Sequence, residues 1–203
     1  MGDLSDYFLA EFDQGKVLGS AHTEKTDVSE GICAALSIAW VRSVTGGAKA
    51  DDMNALMKQF DMSINMQRIY EDAWSQTDGH RESVLNSISH VTQISVSEER
   101  YGESVGSLVS CCRTLTEGFY FVGLNFPEGH LIALEKRDDF DLFVFDPNYG
   151  TYLASSFEEI GDFISALFAD YASRGDVLAH WDLLEISSAE SARDRFSRQT
   201  GRS

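Results

Sequence analysis

The chain has 203 residues, of which 43% are hydrophobic and two are proline, and carries a formal net charge of −17 at pH 7. That length and composition fit one folded domain with a substantial core and exclude a disordered chain. The charge argues against nucleic acid as a partner, because phosphate binding calls for clustered Lys and Arg; it reads as a solvated acidic surface, compatible with attraction of a basic target.

At the start, Met1-Gly2-Asp3-Leu4-Ser5-Asp6 has no basic region before an apolar stretch, so no Sec-type leader is expected. Asp6 stands where a myristoylation signal calls for Ser or Thr. Residues 1–28 are polar and mixed, and Tyr7, Phe8, Leu9 and Phe12 predict one short docked helix. From Ile32 to Val44, apolar residues recur at three- and four-residue steps, which predicts a helix capped by Asp27 or Ser29 and stopped by Thr45-Gly46-Gly47. Asp51–Phe60 and Ile64–Trp74 read as amphipathic helices, and His80–Ser89 as a weaker one. Val91–Ser97 reads as a short strand and Glu103–Leu115 as a helix.

The texture then changes. Gly118–Phe126, Gly129–Lys136 and Asp141–Asp146 are rich in Phe, Val, Ile and Leu, and predict three strands of an antiparallel meander. Thr151–Ala154 adds a short strand. Phe157–Tyr171 is an amphipathic helix with Ser156 as its cap and Glu158 and Glu159 in its first turn. His180–Ile186 is a last strand. Residues 187–203 hold four Arg and two acidic residues, and predict a flexible polar tail after a single folded domain over 1–186. The predicted class is α+β, with helices first and an antiparallel sheet after them. No apolar run of about 18 residues occurs, so no membrane span is expected.

Three residues suggest chemistry. Cys33 sits in a first helical turn, where the positive end of the helix dipole favours the thiolate; taken alone, it reads as a small core residue. His130 is the one polar side chain at the head of the strand Gly129–Leu134, on the face shared by Ile132 and Leu134. Asp146 ends its strand before the turn Pro147-Asn148-Tyr149-Gly150. A hairpin centred on Asp138 would set residue 130 directly opposite residue 146, so that the carboxylate orients the imidazole. Cys33, His130 and Asp146 together predict a Cys-His-Asp acyl-transfer site in a cleft between the helical part and the sheet.

The other histidines read differently. His22 and His80 lie in polar segments, and His90 and His180 flank strands as structural residues. No metal-ligand spacing links the histidines and cysteines, so no metal and no cofactor are expected. Three cysteines, two of them adjacent at Cys111 and Cys112, make no disulfide framework, and a reducing compartment is expected. Cys111 and Cys112 fall on an apolar helix face, and Trp40, Trp74 and Trp181 read as packing anchors.

The blocks Gly31-Ile32-Cys33-Ala34-Ala35-Leu36-Ser37-Ile38-Ala39-Trp40, Gly129-His130-Leu131-Ile132-Ala133 and Phe145-Asp146-Pro147-Asn148-Tyr149-Gly150 resemble the three catalytic blocks of the YopT/AvrPphB-like cysteine peptidases. The resemblance spans about residues 29–170. It implies a papain-like fold, with Cys33 as nucleophile, His130 as base and Asp146 as orienting carboxylate. It implies a bacterial effector, secreted without a Sec-type signal, that cleaves a protein in the cytoplasm of a host or rival cell. A secretion chaperone or an immunity protein is a further partner of such effectors.

Papain-like enzymes usually place Gln or Asn a few residues before the cysteine as an oxyanion donor. Here none lies between Gln14 and Cys33, which leaves the backbone alone or a more distant side chain such as Gln14 or Asn125. Two alternatives stay open: the same fold as a glutamine deamidase or acyltransferase, and a non-catalytic acidic binding module or secretion chaperone.

Overall fold

A computed structural model describes residues 3–20, 32–76, 94–126 and 129–188. Several sequence expectations lie outside these residues: the caps Asp27 and Ser29, the helix over His80–Ser89, His22, His80 and His90, and the tail from 189 onward.

The N-terminal segment is not the single docked helix that its aromatic residues suggest. A 3-10 turn at Leu4–Tyr7 leads into strand β1 (Phe8–Glu11), and helix α1 (Gln14–Ser20) follows. Strand β1 pairs antiparallel with β6 (Gly150–Ala154) at the far end of the chain, a partnership that no local periodicity records. The two strands approach most closely at Gly150, where φ is +126° and any Cβ would strike the Ala10 carbonyl. Only glycine fits both demands.

Helix α2 (Cys33–Thr45) packs with α3 (Met53–Met57) and α4 (Phe60–Gln76). It stops at Gly46, whose N–H returns to the Arg42 carbonyl, and Gly47 follows with φ +95°. Helix α5 (Val105–Arg113) and helix α6 (Phe157–Ser173) pack against each other. Ser156 caps α6 by accepting from the Glu159 N–H.

The remaining strands are β2 (Ile94–Gly102), β3 (Gly118–Asn125), β4 (His130–Lys136), β5 (Leu142–Asp146) and β7 (His180–Ser188). With β1 and β6 they form, among the described residues, one seven-stranded sheet in the order β1-β6-β5-β4-β3-β7-β2. The meander from β3 to β6 matches the sequence reading. Strand β7, the last, inserts between β3 and β2 and runs two residues beyond the expected Ile186.

The sheet is covered on both faces, which is why β3, β4 and β5 are nearly continuous apolar runs. Leu131, Ala133, Phe143 and Phe145 point towards α2, α3 and α4. Ile132, Leu134, Leu142 and Val144 point towards α5 and α6, where Phe163, Leu167 and Phe168 meet them. Trp40 stacks on Phe145 with ring centroids 5.7 Å apart, and its indole N–H donates to the Ala50 carbonyl. Trp181 is buried on the other face. None of the three cysteines, all among the described residues, forms a disulfide; Cys112 is buried and Cys111 half-buried.

Candidate active site

The site lies at the end of the sheet where β4 begins and β5 ends. Helix α2 starts at Cys33, with Ile32 as its N-cap and no capping side chain from that residue. Two glutamines from elsewhere in the chain serve its first-turn N–H groups instead. Gln14 Oε1 accepts from the Ile32 N–H at 2.9 Å, and Gln67 Oε1 from the Ala35 N–H at 3.2 Å. Both satisfy donors that a helix start leaves without an intrahelical partner.

Ser37 shares the helix face of Cys33, one turn further on. Its hydroxyl donates to the Leu131 carbonyl at 2.9 Å, which pins α2 to β4 one residue beyond His130. Cys33 is thereby held half-buried, with its side chain within hydrogen-bonding reach of His130.

His130 and Asp146 meet on the α6 side of the sheet: His130 Nε2 lies 3.0 Å from Asp146 Oδ1. They are not directly opposed, as a hairpin centred on Asp138 would require. The ladder pairs Ala133 with Phe145 and Lys136 with Leu142, which centres the hairpin on residue 139. The Asp138 carboxylate accepts from the N–H groups of both Phe140 and Asp141, and the Arg137 N–H closes the loop on the Asp141 carbonyl. These bonds displace the turn by one residue and the pairing by two. A shift of two keeps both side chains on one face, as diagonal neighbours within reach of each other.

Asp146 is fully buried and His130 nearly so. The carboxylate is well supplied with donors: Oδ1 also accepts from the Asn148 N–H at 2.9 Å, and Oδ2 accepts from the Tyr171 hydroxyl at 2.6 Å. Burial pulls the His130 pKa down, yet the charge and hydrogen bond of Asp146, with those of Cys33, raise it from 6.5 to about 10. The imidazolium is therefore the favoured form at neutral pH.

Tyr171 and Asn148 are contacts that the sequence reading passes over. Tyr171 falls on the buried stripe of α6 four residues after Leu167, and a hydroxyl buried on such a stripe needs a partner. That was the available signal. Gln14 is nearer the cysteine than the chain suggests, because the α1 start docks on the Asp146 turn: its backbone N–H donates to the Pro147 carbonyl at 2.9 Å. Its side-chain Nε2 donates to Asn148 Oδ1 at 2.6 Å. The other distant candidate, Asn125, ends β3 and its carbonyl accepts from the Ala179 N–H. His180 is half-buried at the head of β7, with its ring 5.3 Å from that of Tyr101. Among the described residues no group of His, Cys, Asp and Glu is arranged to hold a metal ion, and no helix is long and apolar enough to cross a membrane.

No protein-family model matches the chain, and no curated protein matches it in sequence. Solved structures do match its fold. The Pseudomonas avirulence protein AvrPphB superposes with a TM-score of 0.71 at 21% identity, over 91% of this chain and 100% of that one. A cysteine protease-like domain of the Photorhabdus asymbiotica toxin PaTox aligns with a TM-score of 0.48 at 13% identity, over 91% of this chain and 55% of that one. The chain thus has the fold of AvrPphB, a mixed helix and antiparallel-sheet architecture of the kind expected from the three sequence blocks.

Proposed function

We propose that this chain is a thiol peptidase in which Cys33 is the nucleophile, His130 the general base and acid, and Asp146 the carboxylate that holds the imidazole. The observation that carries this reading is the buried His130–Asp146 hydrogen bond of 3.0 Å at the mouth of the helix that begins with Cys33. A histidine held by a carboxylate on one nitrogen, with a thiol near its ring, is the arrangement that nucleophilic acyl transfer requires.

The reaction follows from the parts. The Cys33 thiolate attacks the substrate carbonyl carbon, forming a C–S bond and moving the carbonyl electron pair onto oxygen. The Cys33 N–H at the α2 start faces that oxyanion together with the Gln14 carboxamide, which is anchored to the neighbouring Ile32 N–H and keeps a second N–H to donate. Collapse of the intermediate breaks the C–N bond, and the leaving amine takes the proton from the His130 imidazolium. Water then attacks the thioester, neutral His130 accepts its proton, and the thiolate departs from a carboxylate product. Asp146 fixes the ring throughout, with Nε2 towards itself.

The substrate is a protein in a target cell, and the chain acts there as an effector, in keeping with its AvrPphB-like fold. Three cysteines without a disulfide suit the reducing cytoplasm of such a cell. The test is to incubate the wild type and Cys33→Ala with lysate proteins and map new chain ends by mass spectrometry. New ends formed only by the wild type support the reading. Intact proteins bearing glutamine deamidation, or no Cys33-dependent product, contradict it.

A further inference from the structure

Asp146, Asn148 and Gln14 continue the contact between Cys33 and His130 into a run of hydrogen bonds that returns to the helix start, and Tyr171 joins it at Asp146. Tyr171 donates its hydroxyl proton to Asp146 Oδ2 at 2.6 Å. The Asn148 backbone N–H donates to Asp146 Oδ1 at 2.9 Å, and its side-chain Oδ1 accepts from Gln14 Nε2 at 2.6 Å. Gln14 Oε1 in turn accepts from the Ile32 N–H at 2.9 Å, which returns the run to the residue before Cys33. The donors and acceptors have one consistent sense. Asn148 donates through its backbone to Asp146 and accepts at its side chain from Gln14, and Tyr171 spends its hydroxyl proton on the same carboxylate.

Resting on the thiol-peptidase reading, we propose that Tyr171 and Asn148 are positioning residues that couple the base to the oxyanion donor. Tyr171 stops the Asp146 carboxylate from rotating, so that Oδ1 stays aimed at His130 Nε2. Asn148 holds the Asp146 carboxylate with its backbone N–H and the Gln14 amide beside the nucleophile with its side chain. A chain of hydrogen bonds in a dry site polarises its members and restrains them jointly. The ring of Tyr171 is itself fixed by aromatic neighbours, at 4.8 Å from Phe126 and 5.5 Å from Tyr149, so its hydroxyl has little freedom to leave.

Tyr171→Phe retains that aromatic packing and removes only the hydroxyl, while Asn148→Ala cuts the link to Gln14 and spares the backbone N–H that serves Asp146. The experiment follows alkylation of Cys33 by iodoacetate across pH, with the modified residue assigned by peptide mapping. Iodoacetate is an anion drawn to the imidazolium, so its rate falls on the alkaline side as His130 loses its proton. Both variants should move that alkaline limb to lower pH, Tyr171→Phe by more than Asn148→Ala, while their melting temperatures report any change in packing. A limb that stays in place or moves upward in either variant overturns the proposal. Wild-type Cys33 that reacts no faster than Cys111 would instead overturn the thiol-peptidase reading on which it rests.

Discussion

Asp146 reaches His130 on a diagonal of the β4–β5 ladder, two residues away from direct opposition, and still closes a hydrogen bond of 3.0 Å between buried side chains. The diagonal leaves each Asp146 oxygen open to a further donor. Asn148 approaches one oxygen through its backbone and Tyr171 the other through its hydroxyl. The carboxylate is therefore fixed from three sides before any substrate arrives.

This pairing makes stability depend on pH in a predictable sense. The His130 pKa is raised from 6.5 to about 10 in the folded chain, so its contribution is full below the unfolded value and is lost as pH rises through the folded one. Asp146→Asn keeps the shape and removes the charge. Breaking one partner of a buried pair costs about 3–5 kcal/mol, and chemical denaturation near neutral pH should show a loss of that order. The gap between wild type and variant should narrow as pH rises through about 10. A gap that is constant across this range contradicts the assignment of the imidazolium to the pair.

Gln14 is expected to act on acyl transfer and not on the thiolate. Acylation of Cys33 by p-nitrophenyl acetate passes through an oxyanion, whereas alkylation by iodoacetamide does not. Loss of an oxyanion donor lowers such a rate by about 10²–10³-fold. Gln14→Ala should show a loss of that order with the ester and a far smaller change with iodoacetamide. Equal losses with both reagents would reduce Gln14 to a structural support.

Gly150 tests the N-terminal strand. Its φ of +126° and the close approach of the Ala10 backbone leave no room for a side chain. Strain of this kind costs on the order of 1–3 kcal/mol, and Gly150→Ala must also push β1 away from β6. Because β1 leads into Gln14, the variant should lose thermal stability and ester acylation together. A variant as stable as the wild type would show that β1 is not held as described.

Much of the site was legible because it rests on short-range patterns. The helix behind Cys33, the strands that carry His130 and Asp146, and the shared face of those two residues all follow from periodicity and turn chemistry. The register did not, because it depends on which N–H groups the Asp138 carboxylate captures, and the Lys136–Phe140 stretch alone does not fix that choice. Strand β1 was hidden for a different reason. Phe8 and Leu9 are exposed and show no alternation, and their partner lies at the other end of the chain. Gln14 was visible only as the nearest upstream amide; its approach to Ile32 depends on that strand.

The most direct measurement of the central claim is the rate of Cys33 alkylation near neutral pH in the wild type and in His130→Ala. With His130 as its partner, Cys33 should react well above the rate of a free thiol, and His130→Ala should bring it down to that rate or below, since a half-buried thiol without a base beside it loses its thiolate character. Unchanged reactivity in His130→Ala would contradict the pairing of Cys33 with His130, and the proposed mechanism with it.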